Sequence, residues 1–522
     1  MNSSLAKSAG ILGSLTALSR VLGFVRDLII ATAFGTGVAA EAFVVSFKIP
    51  NLLRDLVGEG AMNSAFVPVL TECHEKRKEE FWHLVSTLFF MMTAILILLS
   101  VLGCVFAPQI VRLIAPGFVL STDPEKFPLT VKLTRVIFPY LFFIGLSALA
   151  MGVLNSLKEF GSSALGPVFL NISMIVAGFF YEKHYGPMAL VVGVLAGGVL
   201  QLGCQIGPLL KRGFRLTPPR WNHDSVKRIG RLLLPRVFGS ALYQINVFVD
   251  SVLASFETII GPGGQSALYY SNRLFQLPLA IFGYSIAQAA LPTFSSQMVL
   301  KDLEGFKSTF SAAVRSLALV VLPASAGLIT LCGPIVRIIF EHGRFNVYST
   351  QITQSALYFY AFGLLSCCLI KLLVNAFYAM QDTRTPVKTM LMAVVLNVIL
   401  SLLMMRPLKI GGLALASTLS ATVNVVMLYV FLRKRVGAID ERRILKSIFK
   451  ISTAAAVMGF FSFSFNHWVL EAHRGAPTTL QAFYLFLGIS LSVLVYLGSV
   501  WVLKVEAPPF QSGRSFFKKG VK

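Results

Sequence analysis

The sequence predicts an all-α polytopic integral membrane protein with 14 transmembrane helices, on three observations. Of its 522 residues, 55% are hydrophobic and only 13% charged, with a mean hydropathy of +0.74. That is about half the charged fraction of a soluble globular domain. The roughly 287 apolar residues suffice for on the order of 14 spans at about 20 residues each. Along the chain, apolar stretches long enough to cross a bilayer alternate with short polar breaks.

In order, the spans fall at residues 9–34, 38–70, 84–107, 130–156, 162–181, 187–210, 229–256, 264–294, 308–336, 350–379, 386–405, 411–432, 446–468 and 479–503. The first is not a cleaved leader, because Arg20 and Arg26 interrupt its apolar run and no small-residue cleavage site follows. In the second, Pro50 and the glycines of FKIPNLLRDLVGEG (47–60) are expected to break the helix. The last two, with TAAAVMGFFSFSF (453–465) and FYLFLGISLSVLVYLGSVWVL (483–503), are rich in Phe, Leu and Val.

Lys and Arg outnumber Asp and Glu by 46 to 23, a net charge of +23. One alternate set of loops holds HEKRKEE (74–80), KRGFRLTPPRWNHDSVKRIGR (211–231), Arg384 and Lys388, RKRVGAIDERRILK (433–446) and the tail ending KKGVK. With its flanks it carries about 27 basic residues against about 9 in the other set, which includes residues 107–132 and 337–349. The first set is therefore expected in the cytoplasm, with both termini inside. Most of the charge is then topological and implies no nucleic-acid partner, and the basic tail 505–522 reads as a membrane-surface segment.

The six cysteines form no CxxC pair and the seven histidines no HxxxH or HExxH, so neither a disulfide framework nor zinc chemistry is indicated. No GxxxxGK[ST] loop is present, which removes a built-in ATPase.

The chain also repeats itself at an offset of roughly 220 residues. LSRVLGFVRDLIIATAFG (18–35) aligns with LPRVFGSALYQINVFVDSVLASF (234–256), and APQIVRLIAPGF (107–118) with CGPIVRIIFEHGRF (332–345). VLNSLKEFGSSALGP (153–167) aligns with LVNAFYAMQDTRTP (373–386). An offset of six helices keeps both copies in one orientation, which predicts two parallel six-helix lobes, 1–211 and 212–435, around a central cavity. Residues 436–522 add two further helices and the tail.

Charges at membrane depth are the functional candidates. Arg20, Arg26 and Asp27 lie in the first span, where Arg20, Gly23 and Asp27 share a helical face. Glu41, Lys48, Arg54, Asp55 and Glu59 punctuate the second, and Asp250, Arg273 and Lys371 the seventh, eighth and tenth. Ion pairing or snorkelling accounts readily for Lys48, Asp55, Glu59 and Lys371. Arg20, Arg26, Arg54 and Arg273 exceed the acids near them, and a surplus of guanidinium groups in a cavity suits an anionic, phosphorylated substrate.

SRVLGFVRD (19–27), FKIPNLLRDLVGEGAMNSAFVPV (47–69), APGF (115–118), LNISMI (170–175), YYSNRLFQLP (269–278) and QDTRTPVK (381–388) resemble the MurJ (MviN) family of bacterial lipid II flippases. The resemblance runs in register from residue 1 to past 500. It implies membership of the multidrug/oligosaccharidyl-lipid/polysaccharide exporter superfamily, alternating access, and transport of lipid II across the inner membrane in peptidoglycan synthesis. It further implies substrate binding by Arg20, Arg26, Arg54 and Arg273, with Asp27 and Asn171. A family Asp in the second span is Glu41 here, which keeps the charge and is counted with the substrate-binding residues, and an acid that some members carry after the eighth-span Arg is Gln276. A central sodium site of the family would need acid and amide ligands, for which Asp250 and Asn375 are the candidates. No other cofactor is implied, and the coupling ion could equally be a proton. Lipid II, membrane lipids and the cell-wall synthesis machinery are the expected partners, and the last two helices are expected to offer a groove for the lipid tail.

A drug antiporter of the same fold would want an acidic or aromatic cavity, against which four arginines argue. A non-transporting scaffold for cell-wall synthases would leave the charges as mere ion pairs. An enzyme acting on lipid II would need a larger extracytoplasmic domain than these short loops supply, so the chain reads as a transporter and not a catalyst.

Overall fold

The computed structural model describes residues 3–54, 63–219 and 224–506 and, among these, leaves aside the side chains of 3–12, 53, 63–65 and 234–243. Asp55, Glu59 and nearly all of the basic tail lie outside the described residues. Every described element is helical. The chain order is α1 (Ser3–Phe34), α2 (Val38–Arg54), α3 (Asn63–Lys76), α4 (Lys78–Val105), α5 (Ala107–Ile114), α6 (Lys126–Ile137), α7 (Tyr140–Ser156), α8 (Gly161–Phe180), α9 (Glu182–Tyr185), α10 (Pro187–Lys211), α11 (Asp224–Ala254) and α12 (Glu257–Ile260). It continues with α13 (Gly264–Pro278), α14 (Ser285–Val299), α15 (Leu303–Phe340), α16 (Val347–Phe362), α17 (Leu364–Ala379), α18 (Arg384–Val436), α19 (Glu441–Phe465) and α20 (Thr478–Val502).

Among the described residues nine helices are long and apolar enough to cross a bilayer, or ten if α16 and α17, bent by 46°, form one span. Apart from short breaks, the described residues of the fourteen expected spans fall on helix, residues 55–62 of the second lying outside them, and the pattern is consistent with fourteen crossings. α18 covers two of them, joined at Lys409, whose φ of 50° and ψ of −129° interrupt the helix. Two expectations need correction. Pro50 does not break α2, which continues to Arg54. The loss of one backbone hydrogen bond is tolerated because α2 is packed over its length against α6. Residues 107–132 are not a simple loop, since they contain α5 and the first turns of α6.

Packing divides the chain into two compact units, Met1–Tyr269 with Phe340–Ser349, and Tyr270–Ile339 with Thr350–Lys522. In the first, α7, α8 and α10 approach closely because small residues line their seams. Gly193 meets Met174 and Ala177, Gly197 meets Leu170, and Gly198 meets Tyr140 and Phe143. Lipid chains are as apolar as leucine, so backbone closeness and interhelical hydrogen bonds hold such helices together. Ser147 donates to Gln205 at 2.8 Å and Ser173 to the Gly193 carbonyl at 2.8 Å. A cluster of Val45, Ile49, Val111, Ile114, Phe118, Val131 and Phe138 binds α5 to α2 and α6.

In the second unit α19 and α20 are seated on α15. Ala454, Ala455, Met458 and Tyr496 pack against Leu319, Leu322 and Ala326, and the Tyr496 hydroxyl donates to the Leu319 carbonyl at 2.6 Å. At the other end Leu470 and Leu485 pack on Leu331, Ile335 and Ile338, where Arg337 pairs with Glu471 at 3.1 Å. The outward side chains Phe449, Phe460, Phe463, Phe483, Phe486 and Trp501 are left exposed, as hydrocarbon solvent permits.

Candidate functional site

Asn171 on α8 lies over Gly23 of α1, the position where a glycine lets the amide approach: a Cβ there would sit 3.6 Å from its nitrogen. The Asn171 amide donates to the Ser19 carbonyl at 2.9 Å, and its oxygen accepts from Arg26 Nη1 at 2.9 Å. Arg26 turns its other edge to Asp27, with Nε and Nη2 at 3.0 and 2.7 Å from Oδ1. The Tyr269 hydroxyl of α13 donates to the same oxygen at 2.7 Å and lies 3.3 Å from Arg26 Nη2. Arg26 and Asp27 are only 7% and 2% exposed. The result is a buried, locally neutral cluster in which one planar donor fork is held open by three elements.

The other candidates are placed differently. Arg20 is exposed on α1, and Arg54 is half-buried at the end of α2. Arg273 is half-buried on α13 and belongs to the second unit, as does Asn375, whose amide donates to the Ala287 carbonyl at 2.8 Å. Gln276 contacts Asn272 at 2.6 Å. Asp250 belongs to the first unit, where its charge acts on Lys48, and the Lys48 ammonium also reaches Ser251 and Gln265 at 3.1 and 3.4 Å. No group of three His, Cys, Asp or Glu suited to a metal occurs among the described residues.

Sequence reasoning missed a second cluster. Lys126, at the start of α6, is fully buried, with its ammonium bonded to both Glu41 of α2 and Glu257 of α12 and 4.3 Å from the Phe118 ring. Glu41 also accepts the Gln265 N–H at 2.9 Å, and Glu257 accepts the Ser121 hydroxyl at 2.5 Å. Burial alone would raise the Glu257 carboxyl, but the hydrogen bonds from Lys126 and Ser121 and the Lys126 charge outweigh it and hold it below its ordinary range.

Two further loops of the first unit are tied down by hydrogen bonds. The loop after α5 meets the turn after α11: Gly117 N–H donates to Ser255 Oγ at 2.9 Å, and a Cβ on Gly117 would collide with the Ser255 backbone. Its counterpart after α15 meets the end of α1, with Arg344 N–H donating to the Thr32 carbonyl at 2.9 Å and Thr36 bonded to Ser349 at 2.7 Å. Gly343 there has φ +59°, and a Cβ would strike the Thr32 carbonyl. Gly343→Ala is therefore expected to destabilise the protein by roughly 2 kcal/mol, from left-handed strain plus the collision. Thermal unfolding in detergent measures it; an unchanged midpoint would show that the loop is not held in this conformation.

Comparison with known proteins fits this geometry. The family model "Lipid II flippase MurJ" matches residues 30–503. The probable lipid II flippase MurJ of Haemophilus influenzae is 35% identical over 513 residues, covering 94% of this chain and 98% of its own. That of Vibrio cholerae is 35% identical over 467 residues, 87% of this chain and 88% of its own. A solved lipid II flippase MurJ in an inward closed conformation superposes with a TM-score of 0.79 at 25% identity over 94% of this chain and 98% of that one. An inward-facing multidrug resistance MATE transporter of the MOP superfamily superposes at 0.69 with 14% identity over 83% of this chain and 99% of that one, a likeness of fold. With its helices and these matches in agreement, the chain belongs to the MurJ lipid II flippase family.

Proposed function

We propose that this protein moves lipid II, the undecaprenyl-diphosphate-linked disaccharide-pentapeptide, from the cytoplasmic to the outer leaflet of the bacterial inner membrane by alternating access, with both termini in the cytoplasm. The buried Arg26 fork carries the reading. A diphosphate presents pairs of charged oxygens that a planar guanidinium fork binds, and Asp27, Asn171 and Tyr269 orient that fork. Arg20, Arg54 and Arg273 would supply the remaining positive charge as the head group arrives. The polyprenyl tail would stay outside the cavity, since exposing it to water costs about 0.8 kcal/mol per CH₂, and the apolar outer face of α19 and α20 offers it a path. The Gly117 and Gly343 loops with Lys126 would form the closure that parts when the head group is released.

No ATP-binding loop drives this cycle. Each elementary charge carried across the membrane is worth about 2.3 kcal/mol per 100 mV, so an inside-negative potential would draw the emptied, arginine-rich carrier back toward the cytoplasmic side. Proteoliposomes loaded with lipid II test both parts. Transport is expected to fall at least tenfold in Arg273→Ala and to slow when the potential is collapsed. Undiminished transport by Arg273→Ala would remove that residue from the site, and indifference to the potential would assign the driving force to Na⁺ or H⁺.

A further inference from the structure

The seam where α4, α5 and α6 meet holds a feature that transport does not use. A cleft of about 410 Å³ opens there between Pro108, Phe127, Pro128, Val131 and Val136, and its polar lining comes from Lys132 and Arg135. Arg112 stands beside it, 5.6 Å above the Phe127 ring. All three cations are exposed, and none has an acidic partner among the described residues. The Arg135 carbonyl accepts from Cys104 at 3.2 Å, which fixes the cleft at the end of α4, next to the exposed apolar side chains of Val101, Leu102, Val105 and Phe106.

The internal repeat shows how the same position is completed elsewhere in the chain. Arg112 of PQIVR corresponds to Arg337 of GPIVR. Arg337 is only 8% exposed and pairs with Glu471 of the appended helices, whose Leu470 and Leu485 pack on the neighbouring Leu331, Ile335 and Ile338. There one carboxylate, Glu471, serves Arg337 at 3.1 Å and Arg474 at 3.6 Å, beside an apolar cluster. Among the described residues Arg112 has no such acid or cover, and Lys132 and Arg135 stand exposed beside it.

We propose that the α4–α5–α6 cleft binds an anionic phospholipid, its phosphodiester held by Lys132, Arg135 and Arg112 and an acyl chain lying along the apolar end of α4. Three exposed cations with no acidic partner among the described residues select an anionic headgroup over a zwitterionic one, whose own ammonium they would repel. Phosphate oxygens accept from several Lys and Arg donors at once, and the glycerol and first methylenes suit the Pro and Val walls.

The full-length protein in phosphatidylcholine nanodiscs containing a small fraction of photo-crosslinkable phosphatidylglycerol tests this, with the labelled peptides mapped by mass spectrometry. The expected label lies within residues 98–136, at least tenfold stronger than with a phosphatidylcholine probe. In Lys132→Gln/Arg135→Gln it falls roughly tenfold, while Arg442→Gln/Lys446→Gln, two cations exposed on α19, leaves it unchanged. The wild-type label with the two probes is decisive even if the double variant unfolds. Equal labelling by both lipids, equal loss in the α19 control, or a copurifying single-span protein that excludes the probe from the cleft would each overturn the proposal.

Discussion

Replacing Lys126 with methionine should destabilise the protein by about 3–5 kcal/mol, the range for breaking a buried ion pair from one side. The arithmetic of charge gives the reason. Lys126 is bonded to two carboxylates, Glu41 and Glu257, of which Glu41 is almost wholly buried. Without it both acids must either ionise without a partner in a low-dielectric setting or take up protons. The triple variant Lys126→Met/Glu41→Gln/Glu257→Gln should recover most of the loss, because a neutral cluster leaves no charge unpaired. Urea or thermal unfolding of the single and triple variants in detergent separates the two outcomes. Equal stability of the wild type and Lys126→Met would refute the latch. The sign of the pH dependence follows from Glu257. Its carboxyl is held below the ordinary value of 4.5, so its contribution is present above that pH and is lost as the pH falls through the lowered value.

The latch was not legible in the sequence for physical reasons. Lys126 sits in TDPEKFP, beside Asp123, Pro124 and Glu125, a composition that reads as a solvated loop. What buries it is the packing of α6 on α2 and the arrival of Glu257 from 131 residues away, contacts with no periodic signature. The spans were legible because hydrocarbon thickness imposes a length that apolar runs must meet. Arg26 and Asp27 were legible as charges where a membrane tolerates few. Their mutual pairing was not, since adjacent residues on a helix diverge by about 100° and only rotamers directed by Asn171 and Tyr269 bring them onto one another. Tyr269 opens the segment YYSNRLFQLP, yet a tyrosine in such a run gives no sign that its hydroxyl will find a carboxylate.

That pairing shapes the second large effect, the loss of transport on changing Arg26. Arg26→Ala alone is ambiguous, because it strands Asp27, 2% exposed, and an unpaired buried carboxylate costs several kcal/mol. Arg26→Met/Asp27→Asn removes the pair together and should insert and fold close to normally. If the fork serves only to neutralise Asp27, this double variant transports lipid II like the wild type and supports growth of cells that depend on it. If the fork binds diphosphate, transport falls on the order of 100-fold or more, since two charge-assisted hydrogen bonds to phosphate contribute about 1.5–3 kcal/mol each. Arg26→Lys then separates charge from shape. The ammonium can reach Asp27 or Asn171 but cannot span both with a fixed fork, so it should preserve folding while lowering transport at least tenfold. Wild-type transport by the double variant would confine Arg26 to holding α1 and α8 together and would move the diphosphate contact to Arg20, Arg54 and Arg273.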